Sequence, residues 1–231
     1  MRHRSTVAVH GLAATLLVAT APLAAQEISS PYRFVESNRE LSFSVGAIGG
    51  AEGRFGLGAE DGVGFGAKVG FTLSDLLGVD FGLGYADLTR QVIDPTGEEG
   101  PVSVGEASVT QITIDARLRA SLTGRRTWHR LQPYIFMGLG LRGDFADDQE
   151  ADFAVAEEFR AETSTKFMVR GGVGMRFIPG QKWVARVELG GLLYRIDTPP
   201  GFSNEELGFE QVEKNEFVSP ATLEFSLGFL F

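Results

Sequence analysis

From Arg39 onward apolar and polar residues alternate with a period of two, and this constrains the fold more than any other feature of the chain. A strand turns successive side chains to opposite faces, whereas a helix repeats every ~3.6 residues. In the last nine residues Leu223, Phe225, Leu227, Phe229 and Phe231 share one parity, and Glu224, Ser226, Gly228 and Leu230 the other. Seven further segments behave alike, centred on 41–45, 63–71, 79–85, 112–118, 131–141, 167–177 and 183–193. The pattern predicts eight strands, each near the ~9–11 residues that a tilted strand needs to cross a bilayer.

The connections alternate too. Short turns fall at 74–78 and 179–181 and a middling one at 121–130, between longer stretches at 51–61, 91–107, 144–163 and 196–218. Strict alternation places every long loop at one end of an antiparallel up-and-down meander, with both termini at the other. In a transmembrane barrel the short turns are periplasmic and the long loops extracellular.

Period alone does not say which face is inside. A soluble lipocalin-like ligand-binding barrel would hold the apolar parity inward. Three features favour lipid outside. The apolar parity carries no charge over the middle of any strand, as lipid demands. The other parity mixes charge with many of the 30 glycines, and eight strands enclose room only for modest side chains. Aromatics stand toward strand ends, at Phe71, Tyr85, Phe167, Phe177, Trp183, Tyr194, Phe229 and Phe231, as interfacial girdles would.

The inward parity therefore carries Lys68, Arg117, Arg119, Lys166, Arg170, Arg176 and Arg186 against Asp80, Asp115, Glu188 and Glu224. Buried charges must be paired or hydrated, so these residues predict an interior ionic network with trapped water. A filled lumen is one reading; a narrow anion path lined by the surplus cations is the other. The four long stretches hold 21 acidic and three basic residues, so they carry −18. Arg125, Arg126 and Arg130 cluster at the opposite end.

The first 25 residues read as a secretory signal peptide. Arg2 and Arg4 precede an uncharged apolar run, and Leu23, Ala24 and Ala25 offer a small-residue cleavage site. Residues 26–39 form a polar lead-in and 40–231 the barrel. The chain has no cysteine, so no disulfide supports it outside the cytoplasm. A net charge of −9 argues against nucleic acid, whose phosphates need clustered Lys and Arg.

The combined pattern resembles the eight-stranded outer-membrane β-barrel family typified by the OmpA transmembrane domain, over about residues 40–231. The stretch from Thr222 to Phe231 carries the likeness best. Its alternating Leu223, Phe225, Leu227, Phe229 and terminal Phe231 resemble the signal read by the barrel assembly machinery. The Pro133–Gly140 strand and the paired glycines at 171–174 are also similar to this family. The resemblance implies a bacterial outer-membrane location, with lipid and lipopolysaccharide around the barrel. It covers the transmembrane domain only; no periplasmic peptidoglycan-binding domain is expected, and wall tethering is not carried over.

Other chemistry finds little footing. Gly138, Gly140 and Gly143 fit G-x-G-x-x-G, but that fingerprint needs a following helix, and an acidic stretch begins at Asp144. Some small outer-membrane barrels are hydrolases or acyltransferases with a histidine at the rim. Beyond the signal the only histidine is His129, in the 121–130 turn at the predicted periplasmic end, without a partnering motif. Asp144, Asp147, Asp148, Glu150 and Asp152 lack EF-hand spacing, which leaves only weak divalent-cation contact. The expected protein is a non-enzymatic barrel without cofactor or bound metal, serving envelope structure or surface interaction through acidic loops. A small-solute channel of the same architecture is the alternative.

Overall fold

The computed structural model describes residues 30–97, 100–145, 150–160, 164–203 and 213–231. The signal peptide, the first residues of the lead-in, and the loop residues Asp147 and Asp148 lie outside the described residues.

Among the described residues eleven strands form one antiparallel sheet: β1 (Tyr32–Phe34), β2 (Arg39–Ile48), β3 (Gly62–Thr72), β4 (Leu77–Asp94), β5 (Val102–Ser121), β6 (Arg126–Trp128), β7 (Leu131–Phe145), β8 (Thr165–Phe177), β9 (Trp183–Asp197), β10 (Asn215–Val218) and β11 (Ala221–Leu230). Eight of them close a ring, in the order β2, β3, β4, β5, β7, β8, β9, β11. The seam is β11 on β2, where Phe225 stands opposite Val45 while pairing with Val187 of β9 on its other side. The fold is an eight-stranded up-and-down β-barrel.

Side chains sort by parity as alternation requires. Phe43, Ile114, Met137 and Leu227 point outward and are 59–65% exposed, whereas Lys68, Asp80 and Arg186 on the other face are 2% exposed. Apolar outside and charge inside is the inverse of the soluble lipocalin arrangement. One girdle assignment fails: Tyr194 is buried, because its even position in β9 belongs to the lumen while Leu193 takes the outer face. There the Arg142 guanidinium sits 3.9 Å above the Tyr194 ring.

Strand lengths also depart from expectation. The ten residues of β2 and of β11 advance about 33 Å, which at a ~45° tilt matches an apolar band ~25 Å tall. The 18 residues of β4 and 20 of β5 overshoot that band widely. Most of the stretch 91–107, expected as a long loop, is therefore hairpin. Its register runs through Arg90 opposite Ala107 and Gln91 opposite Glu106, slips between Val92 and Ile93, and ends at Asp94 opposite Val102. Beyond the membrane the outward parity turns polar, at Asp87 and Thr89, while Ala86, Leu88 and Val92 are buried on the other, so the lipid-set alternation no longer marks where the strand stops.

The 196–218 stretch likewise gives up its last residues as β10, which pairs with the end of β9. The final strand is thus one line broken at Ser219 and Pro220, where the Leu192 amide donates to the Pro220 carbonyl at 3.0 Å. At the short-turn end, β1 of the lead-in pairs with β6 inside the 121–130 turn.

Candidate functional site in the barrel lumen

The inner parity brings charges from seven strands onto one another. Toward the short-turn end Glu40 of β2 accepts from Arg176 (2.6 Å) and meets Arg186 Nε at 2.5 Å. Asp80 accepts from Arg186 at 2.9 Å and Arg119 at 3.4 Å. Arg176 also donates to the Gln132 side-chain carbonyl.

Glu188 sits at the centre. One oxygen accepts the Tyr134 hydroxyl at 2.6 Å; the other accepts Lys68 at 2.8 Å and Arg117 at 3.0 Å. Toward the long-loop end Lys68 reaches Glu224 at 2.5 Å, Arg170 donates to Glu224 at 2.7 Å, and Arg117 forms a two-pronged pair with Asp115.

Room for these long side chains comes from the facing strands. A methyl added at Gly174 would collide with the Tyr134 ring, and one added at Gly78 would lie 2.8 Å from an Arg119 nitrogen. Small residues opposite large ones fill an eight-stranded interior.

Ten of the eleven charges read from the inner parity meet here. Lys166 does not: it pairs with the half-exposed Asp197 at the rim, 2.9 Å away. Beyond those eleven charges the lumen takes in Glu40, Tyr134 and Gln132, and the rim the pair Arg142–Asp144. Glu40 opens the barrel segment, next to Arg39 at the end of the polar lead-in, and its even position, shared with Ser42 and Ser44, is the signal that places it inside. With Glu40 included and Lys166 at the rim, six cations face five anions, and the surplus available to an anion shrinks to one.

Above this network lies a cavity of about 60 Å³, reached by Ser44, Gln111, Thr113 and Thr222, with Lys68, Arg117, Arg170 and Glu224 on its floor. It has room for about four to six waters at ~10–15 Å³ each, and the buried Gln111 amide oxygen has no protein partner. Apolar layers lie beyond the charges at both ends. Val35 of the lead-in packs with Ile178, Val184 and Leu230 at one. At the other, Ala86 and Leu88 pack with Ala59 and Ile48, and Met168, Leu192 and Tyr194 with Ala51 and Val218.

The remaining sequence candidates fall elsewhere. Gly138 and Gly140 lie mid-strand in β7, which continues to Phe145 where a dinucleotide site needs a helix. His129 adopts a positive φ of 49° in its turn, edge-on to Trp128. Asp144 is held by Arg142 and Asp152 by Arg90; among the described residues no three potential ligands gather as a metal site. Leu223, Phe225, Leu227 and Phe229 line the outer face of the seam strand, and Phe231 follows it with its amide donating to the Arg39 carbonyl.

Comparison with known proteins places this geometry. The family model described as "Outer membrane protein beta-barrel domain" matches residues 11–229. No curated protein matches the chain. Among solved structures, the outer membrane protein OprG from Pseudomonas aeruginosa aligns with a TM-score of 0.54 at 15% identity, covering 84% of this chain and 96% of its own. Neisserial surface protein A gives 0.49 at 11% identity, over 87% and 98%. The chain belongs to the outer-membrane β-barrel family and is an integral protein of the bacterial outer membrane.

Proposed function

We propose that this protein is a non-enzymatic structural and surface-interaction barrel whose long acidic loops face outward from the cell. The carrying observation is the lumen, filled by a nearly balanced ion-pair network between two apolar layers. Such packing favours a scaffold over an open path. The residues read as a signal peptide (1–25) and lead-in (26–39) fit export ahead of the barrel, 40–231. In this reading outer-membrane lipids and lipopolysaccharide surround the wall, and the assembly machinery engages the seam strand through Leu223 to Phe231. Recognition of a surface ligand falls to the loops.

Conductance across planar bilayers tests the proposal: a scaffold gives no resolved ion steps, whereas reproducible steps refute it. The 60 Å³ cavity favours a second reading, a narrow small-solute path, since Arg117 and Arg170 line it. Liposome swelling that depends on solute size and is lost in Arg170→Leu would establish that reading in place of the first.

A further inference from the structure

Outside the ring stands a two-stranded ribbon, β1 on β6, joined to the wall where Trp128 pairs with Leu131. Directly opposed residues share a face of a sheet. Tyr32 opposes Trp128, Phe34 opposes Arg126, and Leu131 belongs to the outward parity of β7. Register therefore carries the lipid-facing side of the wall out onto the ribbon. Three aromatics stand on that side, each about half exposed: Tyr32 at 52%, Phe34 at 51% and Trp128 at 50%.

The ribbon is fixed in place. Arg125 donates to the Val35 and Glu36 carbonyls at 2.7–3.1 Å and lies 4.8 Å over the Phe34 ring. The His129 amide donates to the Pro31 carbonyl at 3.0 Å. Its charge is one-sided: residues 31–39 and 122–130 contain five arginines and a single acid, Glu36.

We propose that this ribbon is an interfacial anchor that binds anionic phospholipid headgroups of the leaflet at the short-turn end. Aromatic rings with an apolar body and a polar edge settle at headgroup depth, and Lys or Arg beside them attracts anionic lipid. Arg126, on the aromatic face, and Arg130, at the end of the turn, supply the cationic contacts. The inference rests on the lipid-facing wall, from which it extends.

The two tryptophans permit a direct test. Trp183→Phe leaves Trp128 as the ribbon's reporter; Trp128→Phe leaves Trp183, which reports the wall. Each protein is reconstituted into phosphatidylcholine bilayers carrying bromine near the top of the acyl chains, with and without phosphatidylglycerol. The anchor requires that Trp128 lose a fraction of its emission comparable to that of Trp183. Phosphatidylglycerol should deepen the Trp128 loss at low salt but not at high salt. Arg126→Gln with Arg130→Gln should abolish this lipid dependence while keeping the loss in phosphatidylcholine.

Trp128 unquenched beside a quenched Trp183 places the ribbon in water and overturns the proposal. Quenching indifferent to phosphatidylglycerol, or a lipid dependence that survives both substitutions, overturns the headgroup assignment. If Trp183 also escapes quenching, the lipid-facing wall falls together with the anchor.

Discussion

Glu188 is the residue on which most of the lumen converges, accepting from Lys68, Arg117 and Tyr134. Removing one partner of a buried pair leaves the others uncompensated, at ~3–5 kcal/mol. Glu188→Ala should lower stability by about that much in urea unfolding from lipid vesicles. Adding Lys68→Met should restore part of the loss, because the stranded cation goes with it. The space around Tyr134 gives a second expectation. Gly174→Val should cost about 1–3 kcal/mol by overpacking, with most of the cost vanishing in the Tyr134→Ala background. Which face these residues occupy was legible, since parity is set by the pleat. Which ones meet was not: parity says nothing of height along the barrel axis. Lys166 therefore shares its parity with residues far below it yet pairs at the rim.

The β4–β5 hairpin shows the same division between elements. Its lower part was readable because lipid enforces alternation; its upper part was not, because water does not. Above the membrane its inward side carries Val92, Ile93 and Ala107, covered by Val155, Phe159 and Phe202 from the later loops. Phe202 is fully buried, its ring 5.2 Å from Phe55 and 5.8 Å from Phe159. Phe202→Ala should remove about 3–5 kcal/mol from this cap. Protease cleavage within residues 150–203 should then rise while the barrel itself stays intact in SDS. At the hairpin tip the Thr96 hydroxyl and amide donate to the Asp94 carboxylate, at 2.6 and 2.8 Å, and hold its pKa below the usual carboxylate range. A carboxyl lowered by folding stabilises above its unfolded pKa, and that contribution is lost as pH falls through the folded one. The Thr96 amide resonance should therefore move on acidification below the ordinary carboxylate range, and Asp94→Asn should abolish that transition.

At the scale of the whole molecule, backbone pairing is complete around the ring. The folded barrel should resist SDS without heating and migrate differently from the boiled chain on a gel, and equal mobilities would contradict a closed ring. The seam that completes it joins residues far apart in sequence, Leu41 with Phe229 and Val45 with Phe225. Contacts of such long range form slowly, because the intervening chain must be ordered before the pairing repays it. Until β11 arrives, the outer edge of β2 presents unpaired amides and carbonyls that any other strand could capture. The β11–β2 pairing covers that edge. Before it, each molecule is an open ribbon able to add strands from its neighbours; after it, the ring itself has no edge left to offer.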